Sequence, residues 1–328
     1  MSDELLLSIQ DLHVVFRTYA GTVFAVNGMS FDVRRGEIFG LVGESGCGKS
    51  VTSLAILRIL PGQGRITAGR ILFNGEDLVQ ASEAGLQSVR GRQISMIFQD
   101  PSVSLNPVFT AGNQITRVLR HHKGLSAPIA YQRALELLDK VALPEPKRVY
   151  RAYPHELSGG MQQRVMIAMA LASGAQLLIA DEPTTALDVT IQDQILELLV
   201  ELRQQEGLSI LLITHNLGVV AETCDRVGVA YAGKIVEGGP TEVVLRQPKH
   251  PYTQGLLEAL PDAQQRDRNL LSIPGSVPNG LVLIPGCPFH PRCPYVMDEC
   301  RLTPPDLLPV GESSHQAACY LYTMEAAR

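Results

Sequence analysis

The stretch GEIFGLVGESGCGKSVTSLAILRIL, residues 36–60, decides the fold. A short apolar run leads into a glycine-rich turn, after which apolar residues recur at helical spacing through about Leu60. Residues 43–50 fit the pattern G-x-x-x-x-G-K-[ST], a turn between a strand and a helix whose backbone N–H groups bind phosphate oxygens. The pattern therefore predicts a phosphate-binding loop at the amino end of a helix, where the helix dipole also favours anions.

Two side chains of this loop have predicted roles. Lys49 is expected to reach the β- and γ-phosphates of a nucleotide, and the Ser50 hydroxyl is expected to ligate Mg²⁺. A chance match is the alternative, but the flanking strand and helix supply the context that the motif requires. The predicted nucleotide-binding residues of the loop are Gly43, Ser45, Gly46, Cys47, Gly48, Lys49, Ser50 and Val51.

A second motif, LLIADEP at residues 177–183, is an apolar strand that ends in two carboxylates. Asp181 fits a partner for Mg²⁺, either directly or through water. Glu182 is placed to polarise a water for attack on the γ-phosphate. The alternative is a solvated acidic turn after a buried strand. The presence of a phosphate-loop motif in the same chain makes this alternative less favoured.

A third motif, LSGGMQQR at residues 157–164, places a serine and two glycines directly before a helix. This is a second anion-binding geometry in the chain. The alternative is simple capping of the helix by Ser158. One nucleotide does not need two phosphate cradles from the same subunit, so two subunits facing head to tail would use both.

The rest of the chain predicts an α/β fold. Residues 1–35 alternate apolar and polar side chains, which is typical of antiparallel strands. The apolar runs AQLLIADEP and LSILLITH enclose a helical pattern, and this strand–helix–strand order predicts a parallel α/β core. Residues 100–171 predict a helical insertion, and residues 227–239 a closing hairpin. Prolines after about residue 247 indicate a loop-rich extension, so we predict an ATPase domain over residues 1–260 and a C-terminal extension over 261–328.

Composition excludes some classes of function. The net charge of −5 argues against a nucleic-acid-binding surface, so no nucleic-acid partner is expected. No apolar run approaches the length of a membrane span. The opening MSDELLLSIQ lacks a basic region followed by a long apolar core, so we expect no secretory signal and a reducing cytoplasmic environment.

Taken together, these motifs resemble those of ABC-transporter ATP-binding subunits, over roughly residues 5–260. GESGCGKS is similar to the Walker A motif and LLIADE to Walker B. LSGGM resembles the ABC signature, although Met161 stands where glutamine is usual. The resemblance implies a P-loop NTPase core of the ABC ATPase type, with an N-terminal antiparallel β subdomain and a helical subdomain, that hydrolyses ATP.

The resemblance also implies roles for further residues. Gln99 in IFQDP matches the Q-loop, which senses Mg²⁺ and the γ-phosphate, and Asp188 in TTALD matches the D-loop. His215 in LLITHN matches the switch histidine. Glu182, His215 and Gln99 are thus the expected catalytic residues, and Ser50, Gln99 and Asp181 the expected magnesium ligands. Ser158, Gly159 and Gly160 are expected to complete the ATP site of a partner subunit.

An aromatic side chain near the N-terminus is expected to stack on adenine. Tyr19 is the predicted residue, and Phe16 and Phe24 are the alternatives.

The segments FQDPSVSLNP, residues 98–107, and HPYTQGLL, residues 250–257, resemble the dipeptide and oligopeptide importer branch, as does the proline-rich tail. The resemblance implies a second, non-identical ATP-binding subunit, two transmembrane permeases and an extracytoplasmic substrate-binding protein. It implies a peripheral location on the cytoplasmic face of the inner membrane. Nickel, heme or another small solute is an alternative cargo, and a soluble ABC-type ATPase is an alternative function.

Four of the six cysteines, Cys287, Cys293, Cys300 and Cys319, lie in the extension. A reducing compartment disfavours disulfides, and the spacing lacks the close pairs of zinc ribbons. Four thiolates held by proline-rich loops suit a 4Fe–4S cluster, which is our expectation. The alternatives are zinc, with His290 or His315 replacing a cysteine, and unligated thiols.

Overall fold

The computed structural model describes residues 4–185, 187–259, 273–311 and 314–323. The strands are β1 Leu5–Thr18, β2 Gly21–Arg34, β3 Ile38–Val42, β4 Gly64–Phe73, β5 Glu76–Asp77, β6 Ile94–Ile97, β7 Leu177–Asp181, β8 Ser209–Thr214, β9 Arg226–Tyr231, β10 Lys234–Pro240, β11 Leu308–Pro309 and β12 Gln316–Ala317. The helices are α1 Lys49–Ile56, α2 Glu83–Val89, α3 Pro101–Ser104, α4 Ala111–Lys123, α5 Ala127–Lys140, α6 Pro146–Arg151, α7 Gly159–Ala172, α8 Val189–Glu206, α9 Leu217–Thr223, α10 Thr241–Arg246, α11 Pro251–Glu258, α12 Glu299–Leu302 and α13 Tyr320–Thr323. Single 3₁₀ turns lie at Pro154–Glu156 and His290–Arg292.

The chain divides into two compact units. The first comprises Glu4, Arg34–Glu37 and the described residues of Ala81–Leu212. Its strands β6 and β7 pair in parallel, from Ile94 opposite Leu177 to Ile97 opposite Ala180. Both strands are mostly apolar, as expected where a parallel sheet is covered on its faces. The predicted helical part is present in this unit as α3 to α7.

The second unit comprises Leu5–Val33, Ile38–Gln80 and the described residues from Ile213 onward. One of its sheets has the strand order β2-β1-β4-β5, and β1 pairs antiparallel with β4. In its other sheet β3 pairs in parallel with β9, which forms an antiparallel hairpin with β10. The expected antiparallel N-terminal strands and the closing hairpin are therefore confirmed.

The C-terminal extension adds to this second sheet. Strand β12 pairs antiparallel with β10, placing Ala317 opposite Glu237, and β11 pairs with β12. Phe289 is buried against Tyr231 and Tyr252, with ring centroids 5.2 Å and 5.4 Å away. The described part of the extension is loop-rich as expected, and these contacts attach it to the second unit.

Within the part of the chain that the structure describes, no helix combines the length and the apolar character that crossing a bilayer requires.

Candidate nucleotide-binding site

The phosphate loop lies between β3 and α1, and its backbone requires glycine at two positions. Gly43 has φ 152°, and a Cβ there would lie 2.2 Å from the carbonyl oxygen of Ala230. Gly48 has φ 88°, and a Cβ there would lie 2.5 Å from the carbonyl oxygen of Ala25. A side chain at either position would therefore both clash with backbone and strain the turn. The motif glycines build the loop itself.

Lys49 is buried at the amino end of α1 and folded back over the loop. Its Nζ donates to the carbonyl oxygens of Gly43 at 2.8 Å and Glu44 at 3.0 Å. An ammonium that donates to neutral carbonyls can exchange them for charged phosphate oxygens, which form stronger hydrogen bonds. The loop therefore fits a nucleotide phosphate, and the contact of Lys49 with that phosphate stays a prediction.

The other loop residues differ in exposure. Ser45, Gly46 and Ser50 are exposed, so a ligand can reach them. Cys47 is buried, and burial raises the pKa of its thiol, which disfavours a thiolate in the loop. Any contribution of Cys47 to a phosphate cradle is therefore expected through its backbone.

The predicted catalytic carboxylates lie at the end of β7, in the first unit. Asp181 is the last residue of the strand and is buried, and Glu182 follows it with the unusual φ of 47°. A non-glycine residue with positive φ is strained, and such strain concentrates at functional positions.

Two side chains donate to the same oxygen of Glu182. Gln99 Nε2 lies 3.0 Å from Glu182 Oε2, and Thr185 Oγ1 lies 2.8 Å from it. The structure therefore brings together two of the predicted catalytic residues, Gln99 and Glu182. It adds Thr185, which sequence reasoning missed. The available signal was its position three residues after Glu182, where a hydroxyl can reach back across the turn.

The signature motif caps helix α7. The Ser158 hydroxyl accepts a hydrogen bond from the backbone N–H of Met161 at 3.4 Å, so the capping interpretation holds in this structure. A Cβ on Gly160 would lie 2.7 Å from Ile191 Cγ2, close to the start of α8. Asp188 caps α8 by accepting from the N–H of Ile191 at 3.0 Å. The glycine therefore permits close packing of the signature turn against α8, near the predicted D-loop.

The remaining predicted residues lie in the second unit. His215 follows β8 directly and is exposed, and Asn216 next to it caps α9. Tyr19 is fully exposed in the turn between β1 and β2, whereas Phe16 and Phe24 are half-buried. These positions leave Tyr19 accessible for stacking, and its adenine contact stays a prediction.

The cysteines do not bear out the expected iron–sulfur cluster. Cys287, Cys293, Cys300 and Cys319 line one cavity, but its volume is about 10 Å³, roughly the space of one water molecule. No group of three or more His, Cys, Asp or Glu side chains in the described ranges has metal-binding geometry. The prediction of a 4Fe–4S cluster is therefore wrong.

The close packing around the four thiols is the physical reason for this correction. Burial also raises the pKa of the Cys287 thiol to about 11 and that of Cys319 to about 12, so both side chains are neutral thiols in this structure. The zinc alternative also fails on ligand geometry. Its candidate histidines bond elsewhere: His315 to Glu237 at 2.7 Å, and His290 Nδ1 to the Cys287 carbonyl at 3.0 Å.

The glycine-built phosphate loop, the strand-end carboxylates and the capped signature helix define an ATPase of the ABC class. Solved structures agree with this class. The chain superposes with a TM-score of 0.65 on the ATP-binding cassette MJ0796, a dimeric post-hydrolysis state bound to ADP and Pi. The two chains are 26% identical, and the match covers 72% of this chain and 99% of that one. The TM-score is also 0.65 for cbiO1 of Clostridium perfringens, which is part of the ABC transporter complex cbiONQ. The two chains are 27% identical, and the match covers 75% of this chain and 92% of cbiO1.

Relatives match along nearly the whole chain. The dipeptide transport ATP-binding protein DppD of Bacillus subtilis is 48% identical, with 98% of this chain and 96% of the relative covered. The oligopeptide transport ATP-binding protein OppD of Salmonella typhimurium is 50% identical, with 92% and 90% covered. Residues 26–185 match the ABC transporter family, and residues 236–300 match the oligopeptide/dipeptide transporter C-terminal region. The chain belongs to the ABC transporter ATP-binding proteins of the dipeptide and oligopeptide branch, and it is an ATPase.

Proposed function

We propose that this chain hydrolyses ATP to energise the uptake of dipeptides or oligopeptides by a membrane importer. The observation that carries the proposal is the match of residues 236–300 to the oligopeptide/dipeptide transporter C-terminal region, in addition to the ATPase core. The near-complete coverage of DppD of Bacillus subtilis supports it. Peptide import is thus the function that both parts of the chain have in common with these relatives.

The residues of the chain have distinct roles in this function. The loop amides and Lys49 bind the β- and γ-phosphates of ATP. The Ser50 hydroxyl, Gln99 and Asp181 would hold Mg²⁺, which would neutralise phosphate charge. Glu182 accepts the proton of the attacking water, and Gln99 orients that carboxylate through its hydrogen bond to Oε2. His215 contacts the γ-phosphate, and Tyr19 stacks on adenine.

The proposed assembly contains a second, non-identical ATP-binding subunit, two permeases and a substrate-binding protein, with this chain peripheral at the membrane. The signature turn supports sharing of sites between subunits, because it carries a second set of helix-terminal amides after Ser158. Ser158→Arg should block the site completed on the partner subunit while this chain still binds ATP. Full hydrolysis by the purified single subunit, at the rate of the assembled complex, would contradict shared sites.

Uptake measurements test the cargo. The chain is expressed with the permease, ATPase and binding-protein genes that neighbour its own gene, in cells lacking their own peptide importers. We expect accumulation of labelled dipeptide or oligopeptide that is lost when Lys49→Ala replaces the wild type. Accumulation of nickel or heme without peptide would overturn the peptide assignment. Failure to co-purify with any permease would favour the soluble ATPase.

A further inference from the structure

In the phosphate loop, the backbone N–H, backbone carbonyl and carboxylate of Glu44 all form hydrogen bonds. Two of these groups bond to side chains that are distant in the sequence. Glu44 is the second residue of the loop. Its backbone N–H donates to the Tyr252 hydroxyl oxygen at 2.8 Å, and its backbone carbonyl accepts from Lys49 Nζ at 3.0 Å. Its carboxylate is paired by Arg292, which lies 248 positions later in the C-terminal extension. The extension therefore reaches the loop through a charged side chain.

The pairing of Arg292 with Glu44 is bidentate. Nη1 lies 2.8 Å from Oε2, and Nη2 lies 3.1 Å from Oε1. The Arg292 side chain is only 5% exposed and that of Glu44 is 31% exposed, so solvent screens the pair weakly. A fork of this kind fixes orientation as well as charge, which a lysine cannot reproduce.

Arg292 is itself held in place. Its Nε donates to the carbonyl oxygen of Pro274 at 2.8 Å, and its Nη2 also lies 3.3 Å from the carbonyl oxygen of Ile273. Its Nη1 lies 3.4 Å from the Tyr231 hydroxyl. The guanidinium is therefore a fixed anchor, and the loop residue Glu44 is positioned against it.

This arrangement has two consequences for nucleotide binding. A free carboxylate in a loop that binds phosphates would repel them, and Arg292 cancels that charge. When Lys49 turns from the loop carbonyls toward phosphate, the hydrogen bonds of Glu44 with Arg292 and Tyr252 remain in place. The loop therefore need not reorganise. A loop already held in its binding shape binds its ligand at lower entropic cost.

We propose that Arg292 of the C-terminal extension is a positioning residue for ATP, which acts by fixing and neutralising Glu44 of the phosphate loop. The extension thereby sets the affinity of the ATPase for its nucleotide. Arg292 does not touch the reacting atoms, so its effect falls on binding and leaves the chemical step unchanged.

The test combines variants of the pair in the full chain and in the assembled complex. Arg292→Ala should raise the Kd for Mg-ATP and the KM for ATP about tenfold, with kcat unchanged, because it leaves the carboxylate uncompensated. Adding Glu44→Gln to Arg292→Ala should recover most of that loss, and the loss should shrink at high salt. Arg292→Lys should lie between wild type and Arg292→Ala. Arg301→Ala, an exposed arginine of the same extension, is the matched control and should bind as wild type does.

Two results would overturn the proposal. One is wild-type affinity in Arg292→Ala. The other is a double variant that binds no better than Arg292→Ala, since a merely structural role gives no rescue. Circular dichroism shows whether Arg292→Ala folds. If it does not, ATP affinity is compared between Arg292→Lys and the double variant Arg292→Lys with Glu44→Gln. Wild-type affinity in Arg292→Lys would then contradict the proposal.

Discussion

Two glutamates of this chain show how differently one side chain can be used. Glu182 follows β7 with a positive φ, is half-buried, and receives hydrogen bonds from the side chains of Gln99 and Thr185. Glu237 in β10 is 0% exposed, and its carboxylate accepts hydrogen bonds from the backbone N–H groups of Lys249 at 2.6 Å and His250 at 2.9 Å.

Glu237 is also bonded to His315, whose Nε2 lies 2.7 Å from Oε1. Its oxygens are thus occupied, and water has no access to them. Such a buried carboxylate ties distant segments together, because leaving it unpaired is costly. Glu182 is half-buried in a strained turn, where we predict that it acts on a bound water. The difference predicts that changes at Glu182 affect rate, whereas changes around Glu237 affect stability.

The largest expected effect is that of Glu182→Gln. The amide cannot accept a proton from water, so turnover of the assembled complex should fall about 10²–10⁴-fold. The phosphate loop is untouched, so ATP affinity and the thermal unfolding midpoint should stay at their wild-type values. Turnover, nucleotide binding and thermal unfolding are measured on the same preparation. Wild-type turnover would remove Glu182 from the catalytic role.

Next is His315→Ala, which removes a side-chain partner from the buried Glu237. Because two backbone donors remain, we expect a loss of about 3 kcal/mol in the free energy of unfolding, at the lower end for a broken buried pair. Urea unfolding of the full chain measures it. The exposed His155→Ala is the control, with an expected change within about 0.5 kcal/mol. Equal stability of the two variants would contradict the structural role of Glu237.

The third prediction concerns pH. Burial lowers the pKa of His250 from an ordinary 6.5 to about 4, and the charge of Glu237 offsets only part of this shift. The neutral Nδ1 of His250 accepts a hydrogen bond from the Tyr252 N–H at 3.1 Å. The unfolded chain takes up this proton below about pH 6.5, and the folded chain only near pH 4. Stability should therefore fall as the pH falls, by about 2 kcal/mol between pH 7 and pH 5.

His250→Asn isolates this contribution, because asparagine keeps the helix cap on α11 and does not titrate. Urea unfolding at both pH values should show a smaller loss for the variant than for the wild type. The same loss in both proteins would assign the acid sensitivity to other groups.

The smallest expected effect is that of Thr185→Val, which deletes a donor to Glu182 Oε2. One hydrogen bond to a charged group corresponds to a loss of about tenfold in kcat. Thr185→Ser keeps the hydroxyl and should stay close to wild type. If Thr185→Val is as damaging as Glu182→Gln, Thr185 has a role beyond orienting the carboxylate.

Motif reasoning succeeded for the backbone of the phosphate loop, which depends on neighbours in sequence. The phosphate loop needs glycine at positions 43 and 48 and a lysine at the helix start, and these requirements are local. The fold class followed from strand and helix periods for the same reason. The assigned roles of Lys49, Glu182 and His215 in ATP hydrolysis stay predictions. The cysteine cluster failed because spacing does not determine how much space the side chains enclose, and here the cavity is about 10 Å³.

The sequence by itself determined the α/β ATPase core, the phosphate loop and the family of the chain, because short motifs fix backbone turns through φ angles and hydrogen bonds between near neighbours. Only the tertiary structure decided that Arg292 pairs with Glu44, 248 positions away, and that His315 pairs with Glu237, 78 positions away. A charged residue carries no mark of its distant partner in its local sequence. Its partner is set by which segments pack together and by the cost of burying a charge unpaired.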